Sequence, residues 1–453
     1  MFRDPTYFKN LFRIALPIIA QNLLSSVLNM MDVAMIGQMG ETAVASVGLA
    51  NQVFFLLLLM MFGINSGVGV FVSQLWGKGD QGSIRKVQGI GLGMGLAASL
   101  LSSIAAMVFS EGILRIYSTD PAVIARGGAY LRIAGMSYVA TAITLSYSSV
   151  LRATGNVRVP VAVSIFAISL KTLLNYGLIF GHFGLPALGI EGAAIATVIS
   201  RMVEVTGILA ITYARSLPPA ARLSELVGGY NRQFLPVVLK TSFPVVINET
   251  LWSLGVTMYN IIYARIGTES IAAVNIAVTI EGLAFVLFIG ISEATGILIG
   301  NHIGANEEQL AFDYARRSLI LSTAGAILMG GVIFLASDFI LGFFKVSEAA
   351  RSNAHNILLV MSFALWLKVT NMLIIVGILR AGGDTRFSMI VDAGSVWLVG
   401  VPMAWAGANL LHLPIYGVYL MVASEELVKY IAMMWRFTSR RWMVNLTHSV
   451  AQT

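Results

Sequence analysis

Two carboxylates, Asp32 and Glu249, lie inside long apolar stretches of the sequence. The segment from Leu11 to Gly37 contains Asp32 and is long enough, at about 1.5 Å per residue, to cross a bilayer core of about 30 Å. A charge inside such a segment costs about 2.5 to 3.5 kcal/mol on insertion scales, so an intramembrane acid is typical of a functional site. A carboxylate in a low-dielectric cavity can take up a proton, a sodium ion or a cationic compound in turn. We therefore expect Asp32 to be a cation or proton coupling site.

Glu249 is the second expected site. It lies about 14 residues into its own apolar segment, which places it about 20 Å deep at helical rise. A plainer interpretation is that Lys240 neutralises it, but the two are about 13 Å apart along one helix, which disfavours that pair. Asp32 also has a plainer interpretation, in which it lies near the outer end of its helix and only caps or is hydrated there. The sequon Asn248-Glu249-Thr250 is expected to be accidental inside a span.

The composition is that of an integral membrane protein. Hydrophobic residues make up 57% of the 453 residues and charged residues only 11%, whereas a soluble domain carries about 25% charged residues. Cysteine is absent from the sequence, which excludes disulfides and thiolate metal sites. The five histidines have no metal-ligand spacing, and the sequence contains no HExxH, GxSxG or phosphate-binding GxxxxGKS/T motif. We therefore expect no enzyme, no cofactor and no certain metal site, with any uphill transport driven by an ion gradient.

Apolar runs bounded by Gly, Pro and charge clusters predict twelve transmembrane helices. The second and eighth carry polar, glycine-rich patches, Gly63–Gly67 and Gly290–Ala294, which predict the interrupted helices that transporters often use. We place the spans near 10–36, 44–75, 86–109, 122–148, 157–181, 188–213, 235–263, 271–300, 314–336, 348–378, 386–408 and 414–436.

The two halves of the chain repeat one another. Pro17 and Pro244 lie 227 residues apart, and Arg152 and Arg380, in the motifs RATGN and RAGGD, lie 228 apart. This nearly constant offset predicts a duplication of six spans. Because six is even, both halves cross in the same sense. We expect an all-α membrane protein of two six-helix lobes related by a pseudo-twofold axis along the membrane normal, with a cleft between them.

The predicted division follows the chain order. Residues 1–213 form the N-terminal lobe, 214–234 a flexible cytoplasmic linker with one Pro-Pro pair and one Gly-Gly pair, 235–437 the C-terminal lobe and 438–453 a cytoplasmic tail. With a cytoplasmic N-terminus, eighteen Lys and Arg residues fall on the inner side and five on the outer side, so both termini are predicted to be cytoplasmic. The net charge of +7 is then explained by topology in a cell inner (plasma) membrane, and nucleic acid is not an expected partner.

Several motifs carry a resemblance to a known family. The run MDVAMIG in the first span, the pair RATGN and RAGGD, and LNYGLIFGHFGLPALGIEGAAIAT across spans five and six resemble the multidrug and toxic compound extrusion (MATE) family over essentially the whole chain. The resemblance implies a secondary antiporter that expels organic, often cationic, compounds in exchange for sodium ions or protons. It also implies cation coupling at Asp32 and at Glu249, while Thr197 matches the family's threonine in GAAIAT. By the repeat offset the counterpart of Asp32 is Tyr259, so the halves are not functionally equal.

The sequence departs from the family pattern at two lysines. Lys171 and Asn175 stand where some members carry an Asn and an Asp, and Lys368 stands where sodium-coupled members often carry an aspartate. We expect Lys171 to pair with Asp32 and to oppose sodium there, because an ammonium repels the ion. Lys368 is predicted to form a switched ion pair with Glu249. Proton coupling is therefore favoured over a sodium site at either acid.

Two further acids, Glu281 and Asp392, are expected to face the cavity of the C-terminal lobe. The remaining intramembrane charges, Glu425, Glu426 and Lys429 among them, are expected to pair with one another or to snorkel.

The sequence predicts a monomeric exporter of small organic molecules in a lipid bilayer, with two lobes that rock about a central cleft. One rival is a flippase for lipids or lipid-linked precursors, which a cleft rich in Arg and Lys would favour because such cargo carries phosphates. An intramembrane enzyme or a channel is the other rival, and clustered catalytic groups or ion flux without exchange would indicate it.

Overall fold

The computed structural model describes residues 5–232, 234–344 and 346–448, and these residues are helical apart from turns, loops and one isolated bridge between Gly383 and Met443. Twelve long helical segments are present in the described residues, six in each half of the sequence. The predicted all-helical membrane fold is therefore confirmed.

The first half contains six long segments and two short helices. The short ones are α4 and α9, and a 3₁₀ turn at Gly135–Ser137 joins α5 to α6 within one segment. The bounds are α1 Pro5–Gly37, α2 Glu41–Lys78, α3 Gln81–Val108, α4 Ser110–Tyr117, α5 Pro121–Ala134, α6 Tyr138–Ala153, α7 Arg158–Phe180, α8 Gly189–Ala214 and α9 Leu223–Val227.

The second half repeats this order of long helices. Two of its segments contain π-helical stretches, Leu373–Leu379 after α13 and Val396–Gly400 between α14 and α15. The bounds are α10 Phe234–Ile266, α11 Thr268–Gly304, α12 Glu308–Leu341, α13 Glu348–Met372, α14 Thr385–Ser395, α15 Val401–Asn409 and α16 Ile415–Thr438.

Ten helices of the described residues are long and apolar enough to cross a membrane. The other two predicted spans, near 122–148 and 414–436, are helical but differ in character. The first is divided by the 3₁₀ turn into two shorter helices, and α16 carries four charged residues within its length, Glu425, Glu426, Lys429 and Arg436. Several helices also extend beyond the predicted spans, because hydropathy marks only the apolar centre of a helix.

The predicted interruptions of the second and eighth spans are wrong, because α2 and α11 are continuous through both glycine-rich patches. A glycine costs a helix only about 1 kcal/mol, and Gly290 serves packing instead. A Cβ at Gly290 would overlap the Ile19 side chain and crowd the Ala15 carbonyl of α1. The helices that depart from regular α geometry are those with the 3₁₀ turn and the π-helical stretches.

Contacts divide the chain into two compact units. The N-terminal unit is Ala20–Leu239, and the C-terminal unit contains the described residues up to Ile19 and from Lys240 onward. The boundaries fall inside α1 and α10, the two helices that contain an internal proline, Pro17 and Pro244. The division into lobes at residues 213 and 235 was predicted from the sequence repeat, and it stays a prediction.

Among the described residues, the segment expected to be a flexible linker makes hydrogen bonds with α3 within the N-terminal unit. The Gln88 amide donates to the Pro219 carbonyl at 3.2 Å, and the Tyr230 hydroxyl donates to the Gly89 carbonyl at 3.0 Å. The absence of a side chain at Gly89 allows the linker to pack against α3, because a Cβ there would overlap the carbonyl of Leu226.

An ion pair adds to this attachment. The Arg85 guanidinium of α3 lies 2.6 Å from the Glu225 carboxylate of α9. The Arg222 backbone N–H donates a hydrogen bond to Glu225 at 2.6 Å. This hydrogen bond and the Arg85 side chain hold the pKa of Glu225 below its ordinary value. The carboxylate is therefore ionised at neutral pH and available to Arg85.

We predict that Gly89→Ala loosens the linker, because the added methyl group cannot share space with a backbone carbonyl. Trypsin should then cleave the purified protein after the exposed Arg222 several-fold faster than in the wild type. Gly48→Ala is the matched control, since a Cβ at Gly48 meets nothing within 4 Å. Equal cleavage rates in the two variants would show that the glycine does not seat the linker.

Candidate functional site

The N-terminal unit holds Asp32 in a buried, fully occupied site. Asp32 is 6% exposed although it lies close to the end of α1, so the interpretation that it is only hydrated there is wrong. Its Oδ2 lies 2.7 Å from the Lys171 ammonium, and its Oδ1 accepts a hydrogen bond from the Asn175 amide at 2.7 Å. Lys171 and Asn175 are one turn apart on α7, so one face of that helix supplies both partners. The predicted pair of Lys171 with Asp32 is present.

A second layer of hydroxyl groups lies beside this pair. Thr197 on α8 donates to the carbonyl of Ala193 at 2.9 Å. The Tyr130 hydroxyl of α5 lies within electrostatic reach of Thr197 and Asp32. Tyr130 did not emerge from the sequence, because a tyrosine among apolar and small residues carries no signal that separates it from ordinary core.

The Asp32 site fits a sodium ion poorly. Sodium needs oxygen ligands, yet an ammonium and an amide N–H₂ occupy the two carboxylate oxygens. The Asn175 carbonyl oxygen has no hydrogen-bond partner among the described residues, and it belongs to the amide whose nitrogen faces Asp32. No group of three His, Cys, Asp or Glu side chains in the described ranges could hold a metal ion. What the site does provide is a carboxylate whose counter-cation belongs to the protein.

The other buried acid of the N-terminal unit is also paired one to one. Glu204 on α8 lies 2.6 Å from the guanidinium of Arg201, three residues earlier, and accepts a hydrogen bond from Ser164 at 2.6 Å. The two buried acids of this unit thus have one basic partner each, and both pairs are neutral as a whole.

In the C-terminal unit, Glu249 pairs with neither of the lysines considered from the sequence. Its Oε1 lies 2.7 Å from the Arg380 guanidinium, which is 2% exposed. In the N-terminal unit Arg152 donates to Gln21 at 3.1 Å. Arg152 is the counterpart of Arg380 at the 228-residue offset, and Gln21 lies next to Asn22, the counterpart of Glu249 at the 227-residue offset of Pro17 and Pro244. The second half therefore has a charged contact at nearly the same place.

The predicted pair of Lys368 with Glu249 is wrong. Lys368 lies 2.6 Å from Glu281 on α11 and donates to the Tyr419 hydroxyl of α16 at 3.2 Å. Lys368 forms its ion pair with Glu281, and Glu249 forms its ion pair with Arg380. Lys368 and Glu249 are therefore each paired with another residue. Spacing along single helices could not show which neighbouring helix would supply each partner.

Asp392 belongs to a larger cluster. It lies 3.1 Å from the Lys429 ammonium and accepts a hydrogen bond from Asn248 at 3.0 Å. Lys429 also lies 3.4 Å from each of Glu425 and Glu426 on its own helix. Pairing among these intramembrane charges, Asp392 included, was expected from the sequence, although not which of them would meet.

Residues 17–177 and 244–406 match the family model described as MatE, and together they make up more than half of the chain. The chain belongs to the MatE family. The two matches begin at Pro17 and Pro244, the pair that fixed the 227-residue repeat in the sequence. The family resemblance drawn from the motifs is confirmed, and the match in two places agrees with the predicted duplication.

Curated relatives extend over nearly the whole MatE chain. A probable multidrug resistance protein NorM from Thermotoga maritima is 25% identical and covers 97% of this chain and 94% of its own length. Another protein of that description, from Rhizobium meliloti, is 29% identical and covers 96% of this chain and 93% of its own. The chain is thus similar to full-length proteins of this kind.

Solved structures share the fold. The Vibrio cholerae MATE transporter VcmN in its bent form has a TM-score of 0.86 at 19% identity, covering 98% of both chains. A MOP superfamily transporter from Pyrococcus furiosus has a TM-score of 0.85 at 18% identity, covering 96% of both chains. At these identities the likeness shows the fold alone.

We predict that Arg380→Met lowers thermal stability more than Arg152→Met, because it leaves a largely buried carboxylate unpaired whereas the second change leaves a neutral amide. Removal of one partner of a buried ion pair costs about 3 to 5 kcal/mol. Thermal unfolding of the purified variants in detergent measures the difference. Glu249→Gln added to Arg380→Met should restore most of the loss. Equal losses in both single variants, with no recovery in the double variant, would contradict the pairing.

Proposed function

We propose that this MatE protein is a secondary active antiporter that exports organic cations in exchange for protons by alternating access. The observation that carries the proposal is the buried Asp32 carboxylate with its internal counter-cation Lys171 at 2.7 Å. The relatives described as multidrug resistance proteins support export of varied organic compounds. The sequence contains no nucleotide-binding motif, so the proposed energy source is an ion gradient, which supplies about 2.3 kcal/mol per charge per 100 mV.

The proposed exchange follows from charge balance at Asp32. One carboxylate can be neutralised by Lys171, by a proton or by an exported cation, and buried charge disfavours two of these at once. Protonation of Asp32 releases Lys171 from the ion pair, and loss of the proton restores a negative charge for which Lys171 and a substrate cation compete. Asn175 keeps the carboxylate in place through its hydrogen bond.

The preference for protons over sodium rests on the same contacts. A sodium ion would have to displace the Lys171 ammonium and turn the Asn175 amide, whereas a proton needs only one carboxylate oxygen. Glu249 is the proposed second coupling residue, and it too has a basic partner, Arg380, in the place a sodium ion would take. Both acids are therefore proposed to bind protons.

A flippase for lipids or lipid-linked precursors is not favoured. Phosphate-bearing cargo requires cations that are free to bind it. In the part of the chain that the structure describes, four partly or fully buried cations already bind carboxylates, namely Lys171, Lys368, Lys429 and Arg380.

We further propose that the protein acts as a monomer in the plasma membrane with both termini in the cytoplasm. The excess of Lys and Arg on one side of the predicted spans supports this orientation.

We predict that Asp32→Asn abolishes pH-driven efflux of a cationic dye from proteoliposomes while the protein still inserts and folds. Asparagine keeps the size of the side chain but cannot take up a proton. Glu204→Gln is the matched control, because it also removes a buried carboxylate with one basic partner, at a place outside the proposed site. It should retain most of the efflux. Wild-type rates in Asp32→Asn would exclude Asp32 as the coupling residue.

A further inference from the structure

The C-terminal unit contains a buried cluster in which acids outnumber bases. Lys429, 2% exposed, lies 3.1 Å from Asp392 and 3.4 Å from each of Glu425 and Glu426. Three carboxylates thus surround one ammonium. If all of them were ionised, the cluster would carry a net charge of −2 in the interior of a helical membrane protein.

Among the described residues, Arg380 and Lys368 act on Asp392 and Glu426 from neighbouring segments, but each has a carboxylate of its own and so leaves the excess of two negative charges unchanged. The groups that face the cluster from α10 and α13 are the Tyr259 hydroxyl, which donates to Glu425, and the amides of Asn371 and Asn248. These groups are neutral donors. The two other cations nearby are committed elsewhere, Arg380 to Glu249 and Lys368 to Glu281.

The cluster is also short of hydrogen-bond donors. Asn371 donates its amide to Glu426 at 2.8 Å, and Asn248 donates to Asp392 at 3.0 Å. Both asparagines are 1% exposed, and the carbonyl oxygen of each has no hydrogen-bond partner among the described residues. Buried acceptors without donors cost about 1 to 3 kcal/mol each. Excess negative charge and excess acceptors are both relieved by the same ligand, a proton.

We propose that this cluster is a proton-binding site of the C-terminal unit, separate from the Asp32 and Glu249 sites, and that Glu425 holds the proton. Asp392 has the shortest contact with Lys429 and an amide donor, which suits an anion. Glu426 also accepts an amide hydrogen bond. Glu425, 6% exposed, lies 3.4 Å from Lys429 and accepts a hydrogen bond from the Tyr259 hydroxyl, with no amide donor among the described residues. A buried carboxyl group in these surroundings is favoured in its neutral form.

The duplication supports this placement. The counterpart of Asp32 is Tyr259 at the 227-residue offset, and the counterpart of Thr197 is Glu425 at the 228-residue offset. In the N-terminal unit the acid is therefore on the first long helix of the repeat and the hydroxyl on the last. In the C-terminal unit these types are exchanged, with the hydroxyl on α10 and the acid on α16.

The geometry favours a proton over a sodium ion. Lys429 already occupies the position between the three carboxylates, where it would repel a second cation. On the other side, Gly400 lies so close that a Cβ there would overlap both the Tyr259 hydroxyl and Glu425 Oε2. A proton needs no additional volume.

Infrared difference spectroscopy of the purified, full-length protein in lipid at neutral pH tests the proposal without any transport step. The wild type should show the carbonyl stretch of a protonated carboxylic acid. Glu425→Gln should remove this band, whereas Asp32→Asn should retain it. Export activity is not read, so failure here leaves the antiport proposal standing, and failure of antiport leaves this site standing.

Two further variants allow the proposal to be tested even if Glu425→Gln does not fold. Lys429→Met removes the ammonium from three carboxylates, so a second one should protonate and the band should grow about twofold. Tyr259→Phe should shift the frequency of the band without removing it, because the hydroxyl that bonds Glu425 is lost. A wild type without the band, a band unchanged in all three cluster variants, or loss of the band on addition of sodium at constant pH would overturn the proposal.

Discussion

Burial of charge among apolar helices constrains every polar side chain of this protein. An isolated ion in such surroundings is costly, and even a paired one is tolerated only with close partners and hydrogen bonds. The N-terminal unit meets this constraint with two one-to-one pairs, Asp32 with Lys171 and Glu204 with Arg201. Each pair is neutral, so a new cation or proton can enter only by displacing a basic side chain. Lys171, a proton and an exported cation therefore compete for the Asp32 carboxylate.

The C-terminal unit meets the same constraint differently. Its pairs of Glu249 with Arg380 and Glu281 with Lys368 are balanced, but the cluster around Lys429 is not. Asp392 of this cluster lies on α14, which continues into the π-helical stretch at Val396–Gly400, and this stretch lies beside Tyr259 and Glu425. Such stretches are frequent at functional sites. Duplication has therefore preserved the scaffold while the polar groups on it have diverged.

The sequence was sufficient to predict the features that depend on amino-acid composition and on the repeat spacing of motifs. The twelve helices, the repeat and the family followed from apolar runs and from a constant offset between motifs. The pair of Asp32 with Lys171 could be predicted because the family motif aligned the two positions. Neither the partners of Glu249 and Lys368 nor the attachment of the linker followed, since these contacts join helices far apart in the chain and no periodicity records them. The glycine-rich patches led to a wrong prediction of interrupted helices for a related reason. Gly290 allows α11 to pack closely against Ala15 and Ile19 of α1, and a sequence cannot distinguish such a packing glycine from a break in a helix.

The central claim is that Lys171 makes the Asp32 site selective for protons. Efflux of a cationic dye from proteoliposomes, driven separately by a sodium gradient and by a pH gradient, tests it most directly in the wild type and in Lys171→Gln. The wild type should export the dye only under the pH gradient. The variant, in which the ammonium no longer occupies the carboxylate, should acquire sodium-driven export. Sodium-driven export by the wild type, with no response to the pH gradient, would contradict the claim.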